Sequence, residues 1–496
     1  MIQAAARAGL FAGIASLAVL PATETRAEDL REALAAAYRS NPTLQGARAN
    51  QRANDENVAI QKADGLPSVS TQVQYTEFLK QSSANFVAPK RLLQADVSLG
   101  VPIYSGGAVR NSVKAAKTRV EAGQADLRGT ESSVFSQVVG AYMDVILNEA
   151  VVGLNRSNVQ VLSVNLEATS DRFEIGDLTR TDVAQSEARL ALARGDTRTA
   201  EANLVAARER YVQLVGQVPG ALEAPPPLPG LPTSPEEAVA IALESNPDIL
   251  GARQRSKAAD HDIDVAGASR LPQIEVFGAG SRQDFLKSLP ALLPGDVISQ
   301  VQTSAQVGVR ASIPIFQGGR PAALRRQAQA RAGAAMETEI ETERNVIAQV
   351  RSAYSSWRAA NEIIASNQTA VDAATLSLEG VRAENSVGNR TILDILDAEQ
   401  ELLSARVRLV TARRDAYVAG FSLLAAMGKA EAQDLGLDGG PLYDPDVNYK
   451  RVRGKWFDWD DDPAPKPQST RTVDTPAQDG EIQAQPSQGA NDAASR

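Results

Sequence analysis

The chain repeats itself, and any fold it adopts must be two copies of one plan. Ser40-Asn41-Pro42, Gly46-Ala47-Arg48, Ala53, Asp55 and Leu66-Pro67 recur 205 residues later as Ser245-Asn246-Pro247, Gly251-Ala252-Arg253, Ala258, Asp260 and Leu271-Pro272. Pro102-Ile103-Tyr104-x-Gly106-Gly107 recurs at an offset of 212 as Pro314-Ile315-Phe316-x-Gly318-Gly319, and Gly176, Thr179, Asp182 and Glu187 recur at that offset as Gly388, Thr391, Asp394 and Glu399. The offset grows by seven within one loop, and the Pro-rich stretch 224–233 divides the copies. The organisation is therefore a first repeat over 28–223, a linker over 224–233, a second repeat over 234–430, a C-terminal segment over 431–459 and a tail over 460–496. The tail is Asp, Pro, Gln, Ser, Thr and Ala with almost no apolar mass, a composition that predicts disorder. The segment 442–459 carries aromatics enough to pack locally.

Within each repeat the hydrophobic period switches. Val69, Val73 and Tyr75 alternate with polar neighbours, as do Val97, Leu99, Val101 and Ile103, so strands are expected over about 66–77 and 95–104. The second repeat gives strands over about 271–282 and 303–316. Each is about ten residues long, the length of a tilted strand that crosses a bilayer. After each pair, from Gly107 to about Phe173 and from Gly319 to about Glu384, no Pro occurs beyond Pro321. Roughly 65 helical residues at 1.5 Å each span about 100 Å, too long for a globular core helix. Val134, Val138, Ala141 and Val145 run beside Phe135, Val139, Tyr142 and Ile146, two rows on one helix that contact neighbours on two sides. Ile347, Val350, Tyr354 and Trp357 do the same in the second repeat, and Leu396, Leu403 and Val410 mark a seam on the helix from Thr391 to about Lys429. Short helices over about 29–40, 43–64, 234–245 and 248–269 precede the strands, broken at Asn41-Pro42 and Asn246-Pro247.

Four strands cannot close a barrel and a membrane tolerates no open sheet edge, so a membranous sheet requires several copies of the chain. The N-terminus reads as an export signal over 1–27: Arg7, an apolar run from Leu10 to Leu20, Pro21, then Thr25-Arg26-Ala27 before Glu28.

Composition removes most enzyme classes. Zero Cys excludes thiol nucleophiles and Cys-ligated metals, and one His, His261, excludes multi-His sites. Gly428-Lys429 resembles the end of a phosphate-binding loop, but Leu423 and Ala430 stand where Gly and Ser or Thr are needed. Aromatics are only 4% of the chain, so a core is built from Ala, Val, Leu and Ile. A net charge of −9 gives no general attraction to nucleic acid. No catalytic residue, cofactor or metal is expected.

The repeated Ser-Asn-Pro segments, the Pro-x-(Tyr/Phe)-x-Gly-Gly joins, Arg172-Phe173 to Asp182-Val183, and Gly388-Asn389-Arg390-Thr391-x-x-Asp394-Ile395-Leu396-Asp397-Ala398 together resemble the TolC-like outer-membrane efflux family. The resemblance covers about 29–430. It implies a mainly helical fold with a β-barrel portion: four strands from each of three chains close a twelve-stranded barrel in the outer membrane, and the coiled helices form a periplasmic tunnel with the C-terminal segment around its middle. It implies a passive exit duct for efflux or type I secretion, docked to a periplasmic adaptor and an inner-membrane transporter. Pro102, Gly106, Gly107, Pro314, Gly318 and Gly319 would form its strand-to-helix joins. Its gate would lie at the far hairpin tips, where Asp394 and Asp397 would ring the entrance and Arg390 would link to Thr181 and Asp182. Asn385 departs from the family pattern, standing where some members carry a tyrosine. A periplasmic coiled-coil adaptor or scaffold without a barrel would share the long helices and the signal, but would carry compact Gly-rich β domains around a single helical hairpin.

Overall fold

The computed structural model describes residues 28–81, 88–289, 298–437 and 442–482. The expected signal over 1–27 and the last residues of the tail lie outside them. The elements run α1 (Leu30–Ser40), α2 (Pro42–Ala63), β1 (Ser68–Glu77), β2 (Arg91–Ser105), α3 (Ala108–Glu174), α4 (Arg180–Val215), α5 (Pro235–Ser245), α6 (Pro247–Ala268), β3 (Gln273–Asp284), β4 (Val301–Ser312), α7 (Arg320–Ser386), α8 (Ile392–Ala426) and α9 (Pro445–Val452). The two long runs are helices of 67 residues each, the second with Pro321 in its first turn.

The Ser-Asn-Pro motif does three jobs. Asn41 and Asn246 each end one helix and start the next with the same backbone, φ −65° and ψ 124°. Each side-chain oxygen accepts from the first turn of the following helix, from Thr43 and Leu44 or from Asp248 and Ile249. Each amide donates at 2.9 Å to the last turn of a long helix, to the Leu214 carbonyl of α4 or the Ala426 carbonyl of α8. Those helices close on left-handed glycines, Gly216 (φ +85°) and Gly428 (φ +73°). A Cβ on Gly428 would stand 2.5 Å from the Ser245 carbonyl oxygen, so Gly428 serves this junction.

Around these junctions lies the main core. Val134, Phe135, Val138, Val139, Ala141, Tyr142 and Val145 of α3 are buried against Leu44, Leu204, Tyr211, Ile249, Val350 and Phe421. α3 is also the one described helix apolar enough over 18 residues to cross a membrane, but its apolar side chains fill this core. The seam of α8 keeps Leu396 as expected but then runs one residue earlier. Ile395, Leu396, Leu402 and Leu409 are buried while Leu403 and Val410 are half-buried, because Ile395 and Leu402 meet α7 at Leu378 and Leu396 meets α3 and α4 at Leu162 and Leu190. α7 is poorly covered: four of its residues are buried against 21 of α3's. Ile363 and Leu376 stand 50% and 70% exposed.

The strands form one antiparallel sheet in the order β1-β2-β3-β4, with β1 and β4 as open edges. Residues paired across strands share a face. Val69↔Leu99↔Gly278↔Val307 and Thr71↔Val97↔Gly280↔Ala305 are two rungs of one face, continued by Val73, Tyr75, Ala95, Val101, Val276 and Val309. The other face carries Ser70↔Ser98↔Ala279↔Gln306 and Gln72↔Asp96↔Ser281↔Ser304, with Gln74 and Gln94 beside them. One face is thus an apolar band and the other a polar one. β1 and β4 are exposed along almost their whole length, so among the described residues nothing covers this sheet's outer strands on either side.

β4 ends at Ser312, short of the expected 316. β2 continues through the equivalent stretch because it is a central strand, with Tyr104↔Ile274 and Ser105↔Gln273 held past a bulge at Ile103. Among the described residues β4 has no partner on its outer side, and Ile315 and Phe316 are 96% and 86% exposed. Both joins then turn through left-handed glycine pairs, Gly106 (+64°) and Gly107 (+84°), Gly318 (+59°) and Gly319 (+81°). They differ in surroundings: a Cβ on Gly106 would meet the Ala268 carbonyl at 2.7 Å and Leu271 at 2.9 Å, whereas Gly318 has open space. Gly106→Ala should therefore lower the melting temperature more than Gly318→Ala, which carries only the left-handed backbone cost of about 1–2 kcal/mol. Equal shifts in thermal melts would show that the close approach carries no weight.

The C-terminal segment starts in the main core, at Leu435, Leu437, Leu442 and Tyr443, and only α9 lies farther along α3. α9 lies near the strand end of α3, with Tyr449 packed against Val58, Val113, Ala116 and Val120. The tail, expected to be disordered, has neither helix nor strand over 460–482 but is pinned to the α3–α4 pair. The buried Arg208 donates to Glu149 Oε1 at 2.7 Å and to the Asp479 carbonyl at 2.9 Å; Arg156 donates to Glu201 at 2.7 Å and reaches Gly480 and Glu481. Composition registers missing apolar mass, and here charged groups substitute for it.

Candidate functional site at the helix-hairpin tips

Each long helix pair turns at its far end through one local design. α3 closes on Gly176 (φ +84°), whose N–H donates to Phe173 O at 2.9 Å; α7 closes on Gly388 (φ +81°), donating to Asn385 O at 2.9 Å. Three residues on, Thr179 and Thr391 open the next helix with capping boxes. Thr391 Oγ1 and N both donate to Asp394 Oδ2, at 2.7 and 2.8 Å, while the Asp394 N–H returns to Oγ1 at 3.3 Å; Thr179 and Asp182 repeat the arrangement. The Thr side-chain bond, then the backbone bond, hold both carboxyls below the usual aspartate range. Because the folded pKa values are depressed, the caps persist below the usual aspartate pKa and are lost only as pH falls through the lowered values.

The tips differ in charge. Arg172 donates to Asp177 Oδ2 at 2.7 Å in the first. In the second, Arg390 donates to Glu384 Oε2 at 2.7 Å and lies 3.7 Å from Asp394 Oδ1, while Asn385 donates to the Arg390 carbonyl at 2.7 Å. Asn385 therefore fastens the turn locally. Among the described residues no hydrogen bond or ion pair joins Arg390 to Thr181 or Asp182; Asp182 is held by its own cap and Arg390 by Glu384. Asp394 and Asp397 sit on the first turns of α8, but they do not act alike. Asp394 caps the helix, and Asp397 is ion-paired to Arg189 of α4. That pair and Leu396, buried with Leu162, Leu190 and Ala193, bind the two hairpins to each other just above the tips. Arg189 and Glu384 carry no motif that singles them out in the sequence; their partners lie 208 and 6 residues away.

Among the described residues no cluster of side chains could hold a metal ion. His261 lies half-buried on α6, away from these tips. What the tips offer is paired and capped charge at the end of two long helical hairpins, below a sheet with one apolar and one polar face.

Such an architecture is that of an outer-membrane channel subunit. Residues 33–217 and 238–429 match the family model described as outer membrane efflux protein, and the chain belongs to that family. It is 34% identical over 440 residues to the outer membrane efflux protein BepC of Brucella suis biovar 1 (strain 1330), covering 88% of this chain and 93% of that one. It is 27% identical over 421 residues to the outer membrane protein TolC of Escherichia coli (strain K12), covering 83% and 84%. The fold matches the crystal structure of the Campylobacter jejuni CmeC outer membrane channel with a TM-score of 0.70 over 86% of this chain and 89% of that one, at 17% identity. The protein is a transport protein of the outer membrane and not an enzyme. Its family gives the adaptor or scaffold reading no support.

Proposed function

We propose that three copies assemble into an exit duct for efflux or type I secretion. The observation that carries this reading is the sheet: four strands, two open edges, one apolar face and one polar face. Twelve strands from three chains close the edges, place the apolar band against lipid and enclose the polar face around water. The sparsely covered α7 packs against the next copy, and the helices continue the barrel as a periplasmic tunnel. The hairpin tips narrow its entrance. Within each copy Arg189–Asp397 holds the hairpins together; Arg390 faces the next copy, towards Thr181 and Asp182, and threefold symmetry gathers Asp394 and Asp397 around the axis. The entrance docks to a periplasmic adaptor and an inner-membrane transporter, which supplies the energy that a passive duct lacks. Native mass spectrometry of the protein extracted from outer membranes should give a trimer; a stable monomer or an eight-strand dimer would overturn this assembly.

A further inference from the structure

α9 climbs towards the sheet. Asp446 at its start accepts from Gln124 Nε2 of α3 at 3.0 Å, and Tyr449, one turn later, packs beside Val113 and Ala116. Val113 is five residues from the first residue of α3, about 8 Å below the strand-to-helix join. Asn448 fixes the helix there by donating to the fully buried Asp55 at 2.7 Å.

Beyond α9 the chain makes a loop closed by charge. Arg451 donates through both terminal nitrogens to the two carboxylate oxygens of Asp462, each at 2.7 Å, and Lys455 lies 3.1 Å from Asp460 Oδ1. Turns at Lys455 N to Val452 O, 3.0 Å, and Asp460 N to Phe457 O, 3.2 Å, shape the loop inside the clamp. At its head stand Trp456, Phe457 and Trp459, 78%, 62% and 82% exposed. These are two of the three tryptophans of the whole chain, held in water by a loop too small to cover them.

We infer that this loop is an aromatic knuckle that sits in the periplasm-facing lipid–water interface of the outer membrane, beside the barrel. The inference rests on the membrane-spanning sheet proposed above. From Tyr449 the last three residues of α9 rise about 5 Å, and the turn from Val452 to Lys455 with one residue more adds up to about 10 Å, enough to cover the rise of about 8 Å from Val113 to the join. The apolar sheet face ends at that level in further exposed aromatics, Tyr104 and Phe316, so the knuckle continues a surface already suited to lipid. Trp and Phe are residue types that settle at a headgroup boundary with their rings among the upper acyl chains. Arg453 is the cation left to face the phosphates, since Arg451 is paired to Asp462 and Lys455 to Asp460, and Asp458 stands between the rings. The ion-paired base holds the rings in place beforehand, which lowers the ordering cost of binding.

The test uses the trimer in vesicles of phosphatidylethanolamine and phosphatidylglycerol whose acyl chains carry bromine, a contact quencher of tryptophan. The emission of Trp456 and Trp459 is the difference between the unaltered protein and a Trp456→Phe, Trp459→Phe chain that retains Trp357. That difference spectrum should be blue-shifted and should lose most of its intensity, with bromine near the headgroups quenching more than bromine near the bilayer centre. A water-like, unquenched spectrum would overturn the inference, and so would a blue-shifted but unquenched one, which would seat the rings against another copy or another protein. Barrel insertion is followed in the same samples as a trimer that resists dissociation until heated. Inserted trimer without quenching sinks the knuckle alone, whereas absence of insertion sinks the membrane-spanning sheet with it.

Discussion

Arginine in place of both Val97 and Val307 should abolish accumulation of the trimer in the outer membrane, whereas arginine in place of Gln72 and Gln306 should leave it almost intact. Val97 and Val307 lie near the middle of β2 and β4 on the apolar face; Gln72 and Gln306 lie within a rung or two of them on the polar face. A cation facing lipid near the bilayer midplane costs about 2–4 kcal/mol, and a trimer carries the cost of both substitutions three times over. The same cation in a water-filled lumen keeps its hydration. Heat-resistant trimer in the outer-membrane fraction is the readout. Equal tolerance of the two pairs would mean that the sheet has no lipid side, and the barrel reading would fall with it.

Loss of the charge pairs at the hairpin tips should open the entrance. Arg189→Ala removes the partner of Asp397 in α4, and Arg390→Ser removes the cation held by Glu384 and Asp394. Each pair is solvent-exposed and contributes little alone, but three copies lose it together and the open population rises by the product. Single-channel conductance in planar bilayers should rise several-fold for the double variant. Asp394→Ala with Asp397→Ala breaks the same contacts and should raise conductance too, but unlike the arginine variants it should also weaken cation selectivity and block by multivalent cations, since it removes six carboxylates from the entrance of the trimer. The two readouts separate the roles: Thr391 still caps α8 when Asp394 is lost, but the reciprocal bonds to Asp394 Oδ2 are gone. Variants that conduct and select like the unaltered channel would leave these residues an ordinary solvated surface.

The duplication, the strand hairpins and the long helices are legible in the sequence because each is written in local periodicity and in punctuation by Pro and Gly. Even the left-handed turns announce themselves, as Gly-Gly pairs at both joins. What the sequence hides is pairing over distance. Alternation along β1 or β4 shows that each strand has two faces, but only the register places Val69, Leu99 and Val307 on the same one. The end of β4 at Ser312 is set by the absence of an outer neighbour rather than by any residue in it. Arg189 meets Asp397 across 208 residues, and Arg208 holds Asp479 across 271, so neither contact leaves a trace in local pattern. The tip residues could be found by their repeat, Thr179 and Asp182 with Thr391 and Asp394, but not their bonding. Spacing suggests a shared acidic face for Asp394 and Asp397, whereas the capping box commits Asp394 to its own helix.

The offset between the repeats, 205 residues before the β-hairpin loop and 212 after it, places all of the added length at the end of the sheet remote from the helices. Closing a slightly longer loop costs only a few tenths of a kcal/mol, while the same insertion in α7 would displace everything beyond it by about 10 Å along the axis. In the proposed barrel that end lies beyond the membrane, so the two repeats differ in length only where no packing between helices depends on it.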